Sequence, residues 1–201
     1  FASVATGKAD VFMDAWMPVT HADYMNQYGD KLEVLGEAFS NARIGLVVPS
    51  YVTVDSLDEL KDVKEKFDGN IVGIDAGAGI MSATEKVIDA YQLDMKLQSS
   101  SGPAMTALLK KSVEDKTWIV VTGWTPHWMF SRFDLKFLKD PKRIFGDAER
   151  IDIVATKGFA EKDPLAAGFF RKFKLTNEQM SDLMGYLAND TVSEAAGAEM
   201  W

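Results

Sequence analysis

Ile71-Val-Gly-Ile-Asp75-Ala-Gly-Ala-Gly79-Ile80 is a short apolar run that breaks into a glycine loop and then into helical spacing. A strand that passes through such a loop directly into a helix is the building unit of an α/β fold. Glycines let the backbone come close to a ligand, and the helix start presents N–H groups with no intrahelical partner and a positive partial charge. An anion belongs at such a place. The spacing is not Gly-x-Gly-x-x-Gly, and no Gly-Lys-Ser/Thr follows, so neither a dinucleotide loop nor a P-loop fits. An Asp-x-Gly-x-Gly loop also suits ATP-binding folds of the sugar-kinase type, but the second phosphate loop and the magnesium carboxylates are not found. A carboxylate ligand is the economical reading, and a tight structural turn is its alternative.

Outward from this loop, strand and helix patterns alternate along the chain without repeats or low-complexity segments. The expected strands are Ala9–Asp14, Ile44–Pro49, Ile71–Ile74 and Trp118–Thr122. Gly7 suits the end of a preceding helix. Val19–Leu32 has helical spacing in Tyr24, Tyr28 and Leu32, and Ser56 with Glu59 suggests a capping box opening a helix to Lys66. Helices are further expected over Ile80–Tyr91 and Ala104–Glu114, the serines at 99–101 capping or binding oxygen before the latter. Past Gly158 they are expected over Pro164–Phe173, Thr176–Leu187 and Thr191–Trp201, with Thr176 and Gln179 as a second capping box. Short apolar strands alternating with helices predict a parallel sheet covered on both faces. The division predicted is residues 1–49 in a first lobe, 50–154 in a second and 155–201 in a C-terminal helical segment. The chain would cross near Pro49–Asp55 and return around Ile151–Ala155, with ligand in the cleft at the strand ends.

Two tryptophan corners stand at strand ends: Trp16-Met-Pro-Val-Thr-His21 and Thr122-Gly-Trp-Thr-Pro-His-Trp128. A Trp ring face is the best side-chain surface for holding a cation. A single such Trp reads as core or rim packing. Two Trp-Xaa-Pro turns, each with a nearby histidine, favour a small cationic ligand instead. His21 at the rim of an aromatic pocket can donate N–H to a carboxylate; the alternative is a solvent-facing histidine at a helix start. His127 and Trp128 are assigned structural roles.

Composition narrows the class. The 201 residues carry 22 Lys and Arg against 30 Asp and Glu, a formal charge of −8, which argues against a nucleic-acid partner. With no cysteine there are no disulfides, thiolate zinc sites or cysteine nucleophiles. Two histidines so far apart make a poor metal site. Neither Gly-x-Ser-x-Gly nor His-Glu-x-x-His occurs, no metal or cofactor is expected, and the chain does not read as an enzyme. No apolar run approaches the roughly 20 residues a membrane span requires. Phe1-Ala-Ser-Val-Ala-Thr-Gly reads as the end of a helix whose start lies upstream.

Four stretches carry a resemblance: Asp14-Ala-Trp-Met-Pro-Val-Thr-His21, Gly45-Leu-Val-Val-Pro49, Gly73-Ile-Asp-Ala-Gly-Ala-Gly-Ile-Met81 and Thr122-Gly-Trp-Thr-Pro-His-Trp-Met-Phe130. Together they resemble the glycine betaine/proline betaine-binding proteins of osmoprotectant ABC importers, over nearly the whole chain. The resemblance implies a two-lobed periplasmic-binding-protein-like α/β fold of type II. It implies a quaternary ammonium held in a cage of tryptophans, with Trp16 and Trp124 as two walls. The ligand carboxylate would meet His21 and the backbone amides of Gly79 and Ile80. Some members carry their halves in permuted order; here the Trp16 half comes first. The third tryptophan belongs to a strand-and-helix unit expected before Phe1, and neither Trp118 nor Trp201 matches it. A first lobe short of that unit is expected either to self-associate through an exposed sheet edge or to bind betaine poorly, one cage wall being gone. The partners implied are glycine betaine or proline betaine and a membrane permease, and the location is extracytoplasmic, in the periplasm or membrane-anchored at the cell surface. The alternatives are a choline or betaine sensor domain and an enzyme acting on a choline-like or phosphorylated substrate.

Overall fold

The computed structural model describes residues 1–188 and 193–201. In chain order the elements are α1 (Ala2–Ala5), β1 (Val11–Met17), α2 (Ala22–Tyr28), β2 (Leu32–Pro49), β3 (Asn70–Val72), α3 (Gly79–Tyr91), β4 (Lys96–Gln98), α4 (Gly102–Asp115), β5 (Val121–Thr125), α5 (Met129–Arg132), β6 (Leu135–Phe137), β7 (Glu149–Thr156), α6 (Phe159–Lys162), α7 (Pro164–Lys172), α8 (Asn177–Leu187) and α9 (Glu194–Met200). The chain forms two compact units, one of Phe1–Arg43 with Asp147–Met180, the other of Ile44–Gly146 with Ser181–Trp201. The divisions between these units fall at 43/44, 146/147 and 180/181. β2 continues through the first of them as one strand, so no loop marks it in the sequence.

In the first unit β7 lies between β1 and β2, antiparallel to both, with Trp16 opposite Ile151 and Ala42 opposite Glu149. An antiparallel sheet corrects the expectation of a purely parallel one. β1 also runs three residues past the expected Asp14, which puts Trp16 inside the strand. The helix expected to Leu32 stops at Tyr28, and Leu32 opens β2. The extended conformation from Leu32 to Arg43 was hidden in the sequence because the β2–β7 register shifts three times, which breaks the two-residue alternation. Asn41, at φ 61°, bends the strand again. Leu35, Ala38, Ile153, Phe159 and Ala167 build this unit's core beneath α6 and α7.

In the second unit β3 pairs in parallel with β4 and with β5, as expected of a strand–helix alternation. β5 lies next to β2, and β6 adds to β2 antiparallel. The expected strand at Trp118 begins three residues later, at Val121, so Trp124 belongs to β5 and does not follow it. The segment expected as a helix from Ser56 to Lys66 is two 3-10 turns, Leu57–Asp62 and Lys64–Phe67. Ser56 forms no cap there; its hydroxyl bonds Asp58 instead. Val47, Val72, Met105, Leu109, Val121 and Met129 form the core, under α4. Ser101 caps α4 through the Ala104 N–H. The Thr176–Gln179 capping box forms with both reciprocal bonds, 2.9 and 3.2 Å. Of the last predicted helix, Thr191 lies outside the described residues and the helix occupies Glu194–Met200. Among the described residues no helix is long and apolar enough to cross a membrane.

Candidate functional site

The five residues proposed from sequence fall into two groups, one in each unit. In the first unit, Trp16 and His21 close a small ring. The His21 N–H donates to the Trp16 carbonyl at 3.0 Å, and the Trp16 N–H donates to His21 Nδ1 at 2.9 Å. An Nδ1 that accepts cannot carry a proton, so the neutral imidazole is protonated on Nε2 and keeps that N–H as a donor. Burial lowers the His21 pKa to about 4, because the imidazolium is the form that loses hydration. His21 is therefore a neutral donor at physiological pH. Phe1, Phe12 and Tyr24 surround its ring at centroid distances of 5.2, 6.3 and 6.0 Å. Trp16 is buried, and its indole N–H donates to Asp14 Oδ1. Although Asp14 as a residue is exposed, desolvation raises its carboxyl above the usual range, and the indole bond opposes that rise.

In the second unit, Trp124 stands at the end of β5, half-buried against the core cluster. Its neighbour must be small: a Cβ on Gly123 would lie 2.4 Å from Val47 Cγ2 and 2.9 Å from Met129 Cε. His127 meets the Trp124 ring edge-on at 4.7 Å and accepts the Met129 N–H on Nδ1 at 3.1 Å. Burial lowers its pKa to about 4 as well. Each Trp-Xaa-Pro corner thus carries a neutral histidine with its proton on Nε2, and each Xaa-Pro bond, Met17–Pro18 and Thr125–Pro126, is cis. That likeness was only half legible in the sequence, where the spacings differ. His127 packs against the Trp124 ring, and Trp128 faces the Arg132 guanidinium at 5.9 Å.

Gly79 and Ile80 open α3, whose N-cap, Ala78, offers no side-chain acceptor. Their N–H groups belong to the first helical turn, where no intrahelical partner exists. The approach to this turn is tight, since a Cβ on Gly73 would meet Met81 Sδ at 2.4 Å. The Ser100 hydroxyl bonds the Gly73 carbonyl at 2.6 Å and ties the loop after β4 to it. Trp124, Gly79 and Ile80 all lie at the carboxyl ends of β5 and β3, where open α/β sheets bind ligands. A cavity of about 600 Å³ lies at the opposite strand ends, lined by Asn70, Thr117 and Trp118 among others, away from these residues. Trp118 itself packs on Phe67 with the Lys66 ammonium 4.4 Å from its ring centre. Glu149, which sequence reading did not single out, anchors the turn between Trp16 and His21 through its carboxylate. No local motif marks it, because the contact spans some 130 residues.

A family model described as the substrate binding domain of ABC-type glycine betaine transport systems matches residues 1–201. The chain is 48% identical over 152 residues to the glycine betaine/carnitine transport binding protein GbuC of Listeria monocytogenes serotype 1/2a (strain 10403S). That alignment takes in 74% of this chain and 50% of GbuC, so the chain spans about half the length of this relative. Among solved structures, lactococcal OpuAC in its closed-liganded form with glycine betaine superposes with a TM-score of 0.92 at 38% identity, over 100% of this chain and 78% of that one. The glycine betaine, L-proline-binding protein ProX of Borrelia burgdorferi gives a TM-score of 0.94 at 34% identity, over 99% and 76%.

Proposed function

The chain belongs to the family of substrate-binding domains of ABC-type glycine betaine transport systems, and from that premise we propose that it captures a trimethylammonium or dimethylammonium carboxylate. Glycine betaine is the first choice and proline betaine the second. Its fold is that of the type II periplasmic-binding-protein-like members it superposes on, and the relatives are binding proteins, not enzymes. In this reading Trp16 and Trp124 offer ring faces to the ammonium group, which carries diffuse charge and no N–H to donate. The carboxylate takes the His21 Nε2–H and the amides of Gly79 and Ile80.

The observation that carries the reading is the bond from the Trp16 N–H to His21 Nδ1. It leaves a neutral histidine with one ring donor, Nε2–H, bonded through Nδ1 to the backbone of a tryptophan. Each ring can contribute about 2 kcal/mol when desolvated, and each bond to the carboxylate about 1.5–3 kcal/mol. Two rings and two or three such bonds reach the roughly 8 kcal/mol of micromolar binding. GbuC is named for carnitine as well as glycine betaine, and both are trimethylammonium carboxylates, so the same two-ended chemistry covers that ligand. The loaded protein would deliver its solute to the membrane permease of the importer on the extracytoplasmic side.

Calorimetric titration with glycine betaine, proline betaine and choline tests this. The carboxylated solutes should bind at micromolar strength and choline more weakly, with each solute recovered unchanged after incubation. Choline binding as tightly as glycine betaine would overturn the two-ended reading, and conversion of the solute would make the chain an enzyme.

A further inference from the structure

Glu149 is a carboxylate enclosed by protein, 2% exposed. It stands at the first position of β7, opposite Ala42 of β2. An enclosed charge persists only where donors replace its water. Here they come from two consecutive residues. The N–H groups of Val19 and Thr20 donate to Oε2 at 2.8 and 2.9 Å, and the Thr20 hydroxyl donates to Oε1. Val19 and Thr20 sit in the middle of the ring that the two Trp16–His21 bonds close. Pro18 has no N–H, so these two are the donors through which the middle of the turn can be held.

We propose that Glu149 is a positioning residue for solute binding: by clamping Val19 and Thr20 it fixes the turn that joins Trp16 to His21, and so holds the His21 Nε2–H on its course toward the solute carboxylate. The binding half of this assignment rests on the betaine reading of His21. The geometric half, that Glu149 sets the state of the His21 ring, does not depend on it. Bonds to a charged acceptor are stronger than those to a neutral one, which suits a clamp on a turn whose two ends are both assigned to ligand in that reading.

The test uses nitrogen-15-labelled parent, Glu149→Leu and Glu149→Gln proteins at pH 7. Long-range proton–nitrogen correlation reads the His21 tautomer, and calorimetry reads glycine betaine and choline affinity. The parent should show a single Nε2–H form. Glu149→Leu, with no acceptor, should show a tautomer mixture and bind glycine betaine about tenfold more weakly, one charge-assisted bond's worth, with choline changed about twofold or less. Glu149→Gln keeps an oxygen for the two N–H groups, so it should retain the parent tautomer and fall within about threefold of the parent affinity. A folded Glu149→Leu protein with parent tautomer and parent affinity overturns the proposal. If Glu149→Leu does not fold, Thr20→Val decides. It removes one of the three bonds and should weaken glycine betaine about threefold, and unchanged affinity in that variant overturns the proposal. A parent protein that binds no betaine overturns the reading of His21 as a carboxylate donor, while the tautomer signals still judge Glu149.

Discussion

The backbone N–H of Trp16 points at Nδ1 of His21, 2.9 Å away. One bond therefore joins the residue proposed to hold the cationic end of a solute to the residue proposed to hold its anionic end. It also selects the histidine tautomer. A donor on Nε2 is what a carboxylate needs, and the strand that presents Trp16 dictates it.

Replacing His21 by alanine should weaken glycine betaine binding about tenfold or more, the value of a hydrogen bond to a charged group, and leave choline nearly unchanged. Calorimetry with both ligands measures this. Equal losses for the two would assign His21 a purely structural role.

Acid should destabilise the protein before its carboxylates titrate. His21 and His127 each have a folded pKa of about 4 against an ordinary value of 6.5. Between those values the unfolded chain binds the proton and the folded one does not, so stability is full above pH 6.5 and is lost as pH falls toward 4. Each imidazole should account for a loss on the order of 2 kcal/mol across that window. Thermal unfolding from pH 7 to pH 4.5 should show a falling Tm, and His127→Gln should flatten the slope. A flat parent profile would mean that neither ring resists protonation.

Trp124→Ala should cost about 2 kcal/mol of betaine affinity, the contribution of one desolvated ring face, and should remove most of the ligand-induced change in tryptophan fluorescence. Trp118→Ala should bind like the parent, because that ring packs on Phe67 under the Lys66 ammonium. The reverse outcome would move the cation site to the other end of β5.

Thr122 is fully buried two residues before Trp124, and its hydroxyl has no hydrogen-bond partner among the described residues. Valine has the same shape without the polar atom. Thr122→Val should therefore raise stability by about 1 kcal/mol, the cost of leaving such a group unpaired, seen as a higher urea midpoint at unchanged slope. A lower midpoint would show that the hydroxyl is satisfied in solution.

The strand–loop–helix at Ile71–Tyr91, the helices around α4 and α7 and the Thr176–Gln179 cap were legible because each rests on neighbours within a few residues: apolar spacing, a glycine, a hydroxyl three positions before an amide. The residues proposed for the site were picked out on the same local grounds, since Trp16 and His21 are five apart and Gly79 and Ile80 open one helix. What the sequence could not show depends on partners far along the chain. β2 is extended from Leu32 because β7 pairs with it across more than a hundred residues, through register shifts that erase the alternation. Glu149 matters because folding brings it to Val19 and Thr20. The protonation of His21 likewise follows from burial and from a backbone N–H whose direction only the folded β1 defines. Local chemistry marked the residues proposed for the site, and tertiary pairing decided how they are held, because hydrogen bonds and burial between distant segments leave no periodic mark on the chain.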